Sequence, residues 1–268
     1  MPLSNDDRTL PDFRRPPVVE IVAAVQFAPL PRFEIEQVVA LGHGFDDWTV
    51  VEAPPAIPPM SESAGARGVV QQLISFGTPP VRAILSGDGG RWTGQIQQDR
   101  IAVHERKVDH RPSFGNVGPM LKRFCEHASS ALGSTILVDA HPAEIVEVIY
   151  ENHIVPSEGA WSNLGELHRV LRVMNSRAGD PPYDTLEQAT IAFSYALGEG
   201  DAFHGRLRVS VEPRHDTSGP AFGLRVTSRR LVHEASVDTT LESCHSDIVR
   251  GFTAITTEAM HEVWERYR

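Results

Sequence analysis

Two hydrophobic periodicities alternate along this chain in a fixed order, and that order is run through twice. No other feature constrains the fold as strongly. The first run opens on Val18–Phe27 (VVEIVAAVQF), a β-branched stretch that sets Val19, Ile21, Ala23, Val25 and Phe27 on one face and predicts a strand. A short helix is expected over 33–41, then a loop over 53–68 carrying Pro54, Pro55, Pro58 and Pro59. Strands are expected over 69–76, 81–85, Trp92–Gln97 and Arg100–Arg106, the last two joined by a tight turn at Gln98-Asp99. Phe114, Val117, Leu121, Phe124, Ala128 and Ala131 then recur at three and four, the stripe of an amphipathic helix that Gly133 is placed to end.

The second run repeats the order. Ala143–Ile154 predicts a strand and 164–174 a helix, closed by the loop NSRAGDPP. Strands follow over 190–197, 206–212 and 222–229, the last two flanking the turn PRHDTSGP. A final helix is expected over 239–267, with Leu241, Cys244, Ile248, Phe252, Ile255, Ala259 and Val263 as its stripe. Two tandem β-α-β-β-β-α halves imply an α+β fold, with antiparallel sheet and helices on one face. The halves would be related by a pseudo-twofold axis. The TATA-binding-protein-like fold is an analogue of that topology, and the analogy carries no function. The expected divisions are a flexible arm over 1–16, a first half over 17–134 and a second over 135–268.

The 268 residues hold 25 basic and 35 acidic side chains, a net charge of -10 that argues against a nucleic-acid partner. No stretch approaches the ~18 apolar residues of a membrane span. The opening MPLSNDDRTL lacks the basic start and apolar run of a signal peptide. Cys125 and Cys244 fit no zinc or redox spacing and read as reduced, buried thiols. The expectation is a cytoplasmic protein with no membrane contact.

Catalytic motifs are absent. There is no G-x-S-x-G elbow, and SGDGGRW has neither Walker spacing nor G-x-G-x-x-G. Glu242/His245 and Glu258/His261 have the spacing of di-iron ligand pairs, but they sit ~24 Å apart along one helix and cannot share a metal. His261 is expected to face away from the apolar stripe. No cofactor and no metal is expected.

The polar faces of the strands are more informative. With Leu207, Val209 and Val211 inward, Arg206, Arg208 and Ser210 point outward. With Phe222, Leu224 and Val226 inward, Arg225, Thr227 and Arg229 point outward. Paired, these strands collect four arginines on one face. In the first half Thr93, Gln95 and Gln97 share a face, and Arg100, His104 and Arg106 line the matching face of the next strand. A solvated face would pair its arginines with Glu212, Glu105 or Glu234. A binding face would offer their planar forks to carboxylate or phosphate.

Several stretches together resemble a sporadically distributed bacterial family of uncharacterised proteins. They are the opening PPVVEIVAAVQF, the hairpin RWTGQIQQDRIAVHERK, the helix start PSFGNVGPMLKRF, the strand AEIVEVIYENHI and the final CHSDIVRGFTAITTEAMHEVW with its H-x-x-I, F, I-T and W positions. Where many members carry R-Y-x-N, this chain keeps Tyr150 and Asn152 but has Ile149 in the arginine's place. The resemblance implies a cytoplasmic bacterial protein of accessory or defence-associated type and carries over no catalytic residue.

The expected function is that of a non-enzymatic binding protein. Arg206, Arg208, Arg225, Arg229, Gln95, Gln97, His104 and Arg106 would hold an acidic protein partner, an anionic small ligand or a second subunit in a homodimer. One alternative is an enzyme whose site lies between the halves, assembled from Tyr150, Asn152, His153 and His204 with His104. The other is a nucleic-acid-binding protein using the same arginines.

Overall fold

The computed structural model describes residues 10–30, 33, 45, 48–63, 82–132, 142–157, 159–174, 190–216, 219–233 and 235–268. The expected helix over 33–41, the strand over 69–76, the loop NSRAGDPP, Gly133, Glu234 and the boundary near residue 135 lie outside the described residues, apart from Phe33.

Nine strands form one antiparallel sheet: β1 (Val18–Phe27), β2 (Thr49–Glu52), β3 (Ala83–Gly87), β4 (Trp92–Gln97), β5 (Arg100–Arg106), β6 (Ala143–Ile154), β7 (Ile191–Leu197), β8 (Gly205–Asp216) and β9 (Gly219–Leu231). Their order is β2-β3-β4-β5-β1-β6-β9-β8-β7. The β1–β6 seam runs from Val18↔Asn152 to Phe27↔Ala143. The β4–β5 turn falls at Gln98-Asp99 as the sequence predicts. β2 was not expected; TVVE is too short and too exposed to alternate recognisably.

Four helices accompany the sheet among the described residues: α1 (Phe114–Leu132), α2 (Leu167–Val170), α3 (Val237–Ile255) and α4 (Glu258–Val263). α1 buries Val117, Leu121, Phe124, Cys125, Ala128 and Leu132, and α3 buries Leu241, Cys244, Ile248, Phe252 and Ile255. Both stripes join Ile21, Ala23, Val25, Val146, Val148, Leu224 and Val226 in one core. Val22, Ala24 and Ala102, with Ile149, form a small separate cluster of the opposite strand parity. α1 and α3 therefore lie on one face of the sheet, and the other face is free of both.

Four expectations need correction. The helix over 164–174 is one 3-10 turn at Leu164–Glu166 and the single turn of α2. The last helix breaks at Thr256, which is extended and bridges Leu171, and Thr257 caps α4 by accepting from Met260 N. The turn expected over PRHDTSGP is mostly strand, since β8 runs on to Asp216 and β9 begins at Gly219. Residues 10–16 of the expected loose arm are held in place. Phe13 is 6% exposed, packs edge-on against Phe252 and Trp264, and bridges Arg266.

Candidate functional site on the helix-free sheet face

Strand register assembles the arginine face. In the β8–β9 pair Arg206 stands opposite Arg229, Arg208 opposite Thr227 and Ser210 opposite Arg225. Facing like charges destabilise a sheet unless carboxylates intervene. On the β9 side β6 provides them: Glu147 is in register with Arg229 and Glu151 with Arg225, and both pairs are hydrogen-bonded. β8 is flanked by β7 on its other side, and Ser194 and Ala196 there offer no acid to Arg208 and Arg206.

The missing carboxylate comes from the proline-rich segment. Glu62 presents a side chain with no solvent exposure to three arginines at once. Arg206 Nη1 donates to it at 2.6 Å, Arg208 Nη2 is hydrogen-bonded to it, and Arg229 Nη1 lies 3.5 Å away. Arg206 also donates to Ser63 O at 2.8 Å and lies over the Phe203 ring.

Residues 57–63 thereby cross the helix-free face as a strap, taking a bond from strand after strand. Gln97 of β4 bonds both the N–H and the carbonyl of Ile57, at 3.1 and 3.0 Å. Arg100 of β5 donates to Pro58 O at 3.1 Å. Gln26 of β1 brackets Met60, accepting from its N–H and donating to its carbonyl. Glu62 completes the crossing on β8 and β9. Beside the strap, Gln95 and His104 are 2.8 Å apart, His104 Nδ1 lies 2.8 Å from Glu20, and Arg106 donates to Glu20 at 3.2 Å. Burial alone would raise the Glu20 carboxyl. The His104 bond and the charges of His104 and Arg106 outweigh it and hold that carboxyl below its ordinary value.

The eight sequence-predicted residues do share the helix-free face, but they fall into groups. Arg206, Arg208 and Arg229 surround Glu62; Arg225 belongs to Glu151; Gln95, His104 and Arg106 belong with Glu20; Gln97 holds the strap. The arginines do not pair with Glu212 or Glu105. Glu105 has the opposite parity and is fully buried on the helix side, where it binds Arg91 and the start of α1. Glu62 escaped sequence reasoning because a loop acid carries no periodicity. Arg208 Nη1 and Arg100 Nε are among the atoms on this face that stay buried and without a hydrogen-bond partner among the described residues. Buried polar groups in that state are uncommon.

The residues expected between the halves separate. Tyr150 and Asn152 line a cavity on the helix side. His153 lies on the other face of β6 by strand parity, His104 sits with Glu20, and His204 is exposed with its ring 6.4 Å from that of His233. Both cysteines are buried and unpaired, and burial pushes both thiols up to about 12. His261 is buried at 2%, bonding Thr256 and Glu258, because the break in the helix turns it inward; it does not face away from the core as expected. Among the described residues, no group of three His, Cys, Asp or Glu side chains could hold a metal ion, and no helix is long and apolar enough to cross a membrane.

Fold and face together define an α+β protein built on one large antiparallel sheet, with an arginine-lined surface crossed by its own chain. No family model matches this chain, and no curated protein matches it.

Proposed function

We propose that the protein is a non-enzymatic binding protein that takes an acidic, extended segment of a protein partner on the helix-free face of its sheet. One observation carries this reading. The chain lays its own proline-rich segment there, with the carboxylate of its one acid, Glu62, enclosed by Arg206, Arg208 and Arg229. Such charge-assisted bonds are strong and directional, so a site that fits one carboxylate on a strap fits another at the same place. The unpartnered Arg208 Nη1 and Arg100 Nε leave donors for a ligand that supplies more oxygens than the strap does.

Competition between a Glu-rich synthetic peptide and the strap tests the reading. Glu62→Gln weakens the strap's hold and should raise peptide affinity about tenfold or more over wild type in calorimetric titration. Arg208→Gln should weaken peptide binding about tenfold or more, and the same loss in Glu62→Gln/Arg208→Gln, where no buried carboxylate is left unpaired, separates it from a loss of stability. If neither wild type nor Glu62→Gln takes up the peptide, the proposal fails. Binding of inorganic phosphate or citrate with no peptide binding overturns it in favour of a small-anion site.

Further parts of the reading rest on this one. The strand order has β3-β4-β5-β1 answered by β7-β8-β9-β6, which supports an internal duplication with a pseudo-twofold between β1 and β6, as in the TATA-binding-protein-like analogue. Homodimerisation would use the β7 edge, where Tyr195 is 42% exposed. The resemblance to an uncharacterised bacterial family supports a cytoplasmic protein in an accessory or defence-associated role.

A further inference from the structure

The cavity on the helix side, opposite the strap, has a volume of about 370 Å³ and is walled by Phe13, Val18, Ile21, Ile248 and Phe252. That is the lower end of small-molecule sites. Two polar side chains facing it have fixed orientations and each leaves one atom unused. Asn152, 4% exposed, spends its amide N–H groups on the carbonyls of Leu224 (3.0 Å) and Tyr150 (3.4 Å). Its Oδ1 has no partner among the described residues. His245 stacks on Phe114 with ring centroids 4.3 Å apart and 3° between the planes, and its Nδ1 lies 2.8 Å from the Tyr150 hydroxyl. Burial raises the Tyr150 hydroxyl far above its ordinary value, so it keeps its proton, and because His245 Nδ1 is its one hydrogen-bond partner among the described residues, the proton is assigned to that bond. Burial lowers His245 to about 4, so the ring is neutral. A neutral ring that accepts at Nδ1 carries its proton on Nε2, which no described group bonds. Two side chains that line the cavity thus keep one free acceptor and one free donor on rigid supports. Asp12, Glu242, Arg111 and Arg268 also line it, two charges of each sign, so the lining carries no net formal charge to favour an ion of either sign.

We propose that this cavity binds a small, uncharged, planar ligand carrying a hydrogen-bond donor beside an acceptor, as an amide or a lactam-bearing heterocycle does. The donor goes to Asn152 Oδ1 and the acceptor to His245 Nε2, with the ligand plane between the apolar walls. This site is independent of the arginine face.

Benzamide, benzoate and toluene are suitable probes, read by ligand-observed NMR and by the imidazole nitrogen resonances of His245 in the full chain. Benzamide should bind and shift the Nε2 resonance, while toluene and benzoate should bind about tenfold more weakly. His245→Phe preserves the stacked ring and removes the donor, and should lose about tenfold in benzamide affinity. Equal binding of benzamide and toluene would reduce the cavity to an apolar void and overturn the proposal. So would an unmoved Nε2 resonance at saturating benzamide, or tighter binding of benzoate than of benzamide. The three-probe comparison uses wild type alone, so it decides the matter even if the variant fails to fold.

Discussion

Burial sets the protonation of His245, and this gives the residue a measurable signature. Folded, it titrates at about 4; unfolded, at its ordinary 6.5. Between those values the unfolded chain binds a proton that the folded chain refuses. The stability linked to this residue is therefore complete above about pH 6.5 and is lost as the pH falls toward 4. At ~1.4 kcal/mol per pH unit the whole loss is at most about 3.5 kcal/mol. Asp12 opposes the shift, and Tyr150 and Glu242 stand beside it. Urea unfolding of wild type and His245→Gln at about pH 7 and about pH 4.5 measures it. The variant should lose distinctly less stability on acidification, and equal losses would show that His245 is not the group responsible. At this scale the sequence marked the residues that alternate and missed those that do not. The outward set of β8 and β9 was legible from parity. Glu62 was not, since its role depends on where a loop lies across six strands. His261 was misplaced because stripe counting carried one helical phase through a break.

Among the elements, α1 shows how local periodicity and a distant charge combine. Its stripe was legible from three-and-four spacing, but its start is fixed by Glu105 of β5. That carboxylate is fully buried and accepts from Ser113 N at 2.9 Å, Asn116 Nδ2 at 3.0 Å and Arg91 Nη2 at 2.6 Å. It satisfies a donor at the helix N-terminus, where negative charge is favoured. Glu105→Ala should therefore cost on the order of 3 kcal/mol, because it strands buried donors and the Arg91 charge. Chemical denaturation checks this, and a loss under about 1 kcal/mol would mean that Arg91 and the α1 start find water instead. The break between α3 and α4 had a readable local sign, a threonine at the cap followed by Glu258. The apolar positions on either side hide it by staying in phase. Tertiary structure then secures the break: Arg172 N donates to Ile255 O at 2.8 Å and Thr257 N to Val170 O at 3.1 Å.

The molecule as a whole turns on the β1–β6 seam. The repeated order of periodicities made an α+β sheet with flanking helices legible. It did not indicate whether the halves would close separately or share one body, because register between distant strands leaves no trace in spacing. In the structure β1 is buried on both faces along most of its length, with β5 on one side and β6 on the other. Ile21, Ala23 and Val25 belong to the same core as Val146, Val148 and the stripes of α1 and α3. The strap adds a second link across the seam, since it is anchored on β4, β5 and β1 and ends on β8 and β9. Opening either half alone would strip β1 or β6 of a hydrogen-bonded neighbour, expose apolar surface of the common core and leave Arg206 and Arg208 without Glu62. The halves should therefore unfold together as one cooperative unit. Hydrogen exchange followed through rising urea tests this within a single protein. Amides of β5 in the first half and β9 in the second should converge on one opening free energy with one urea dependence. Two isotherms, with either half opening well before the other, would show that the seam joins two bodies that fold independently.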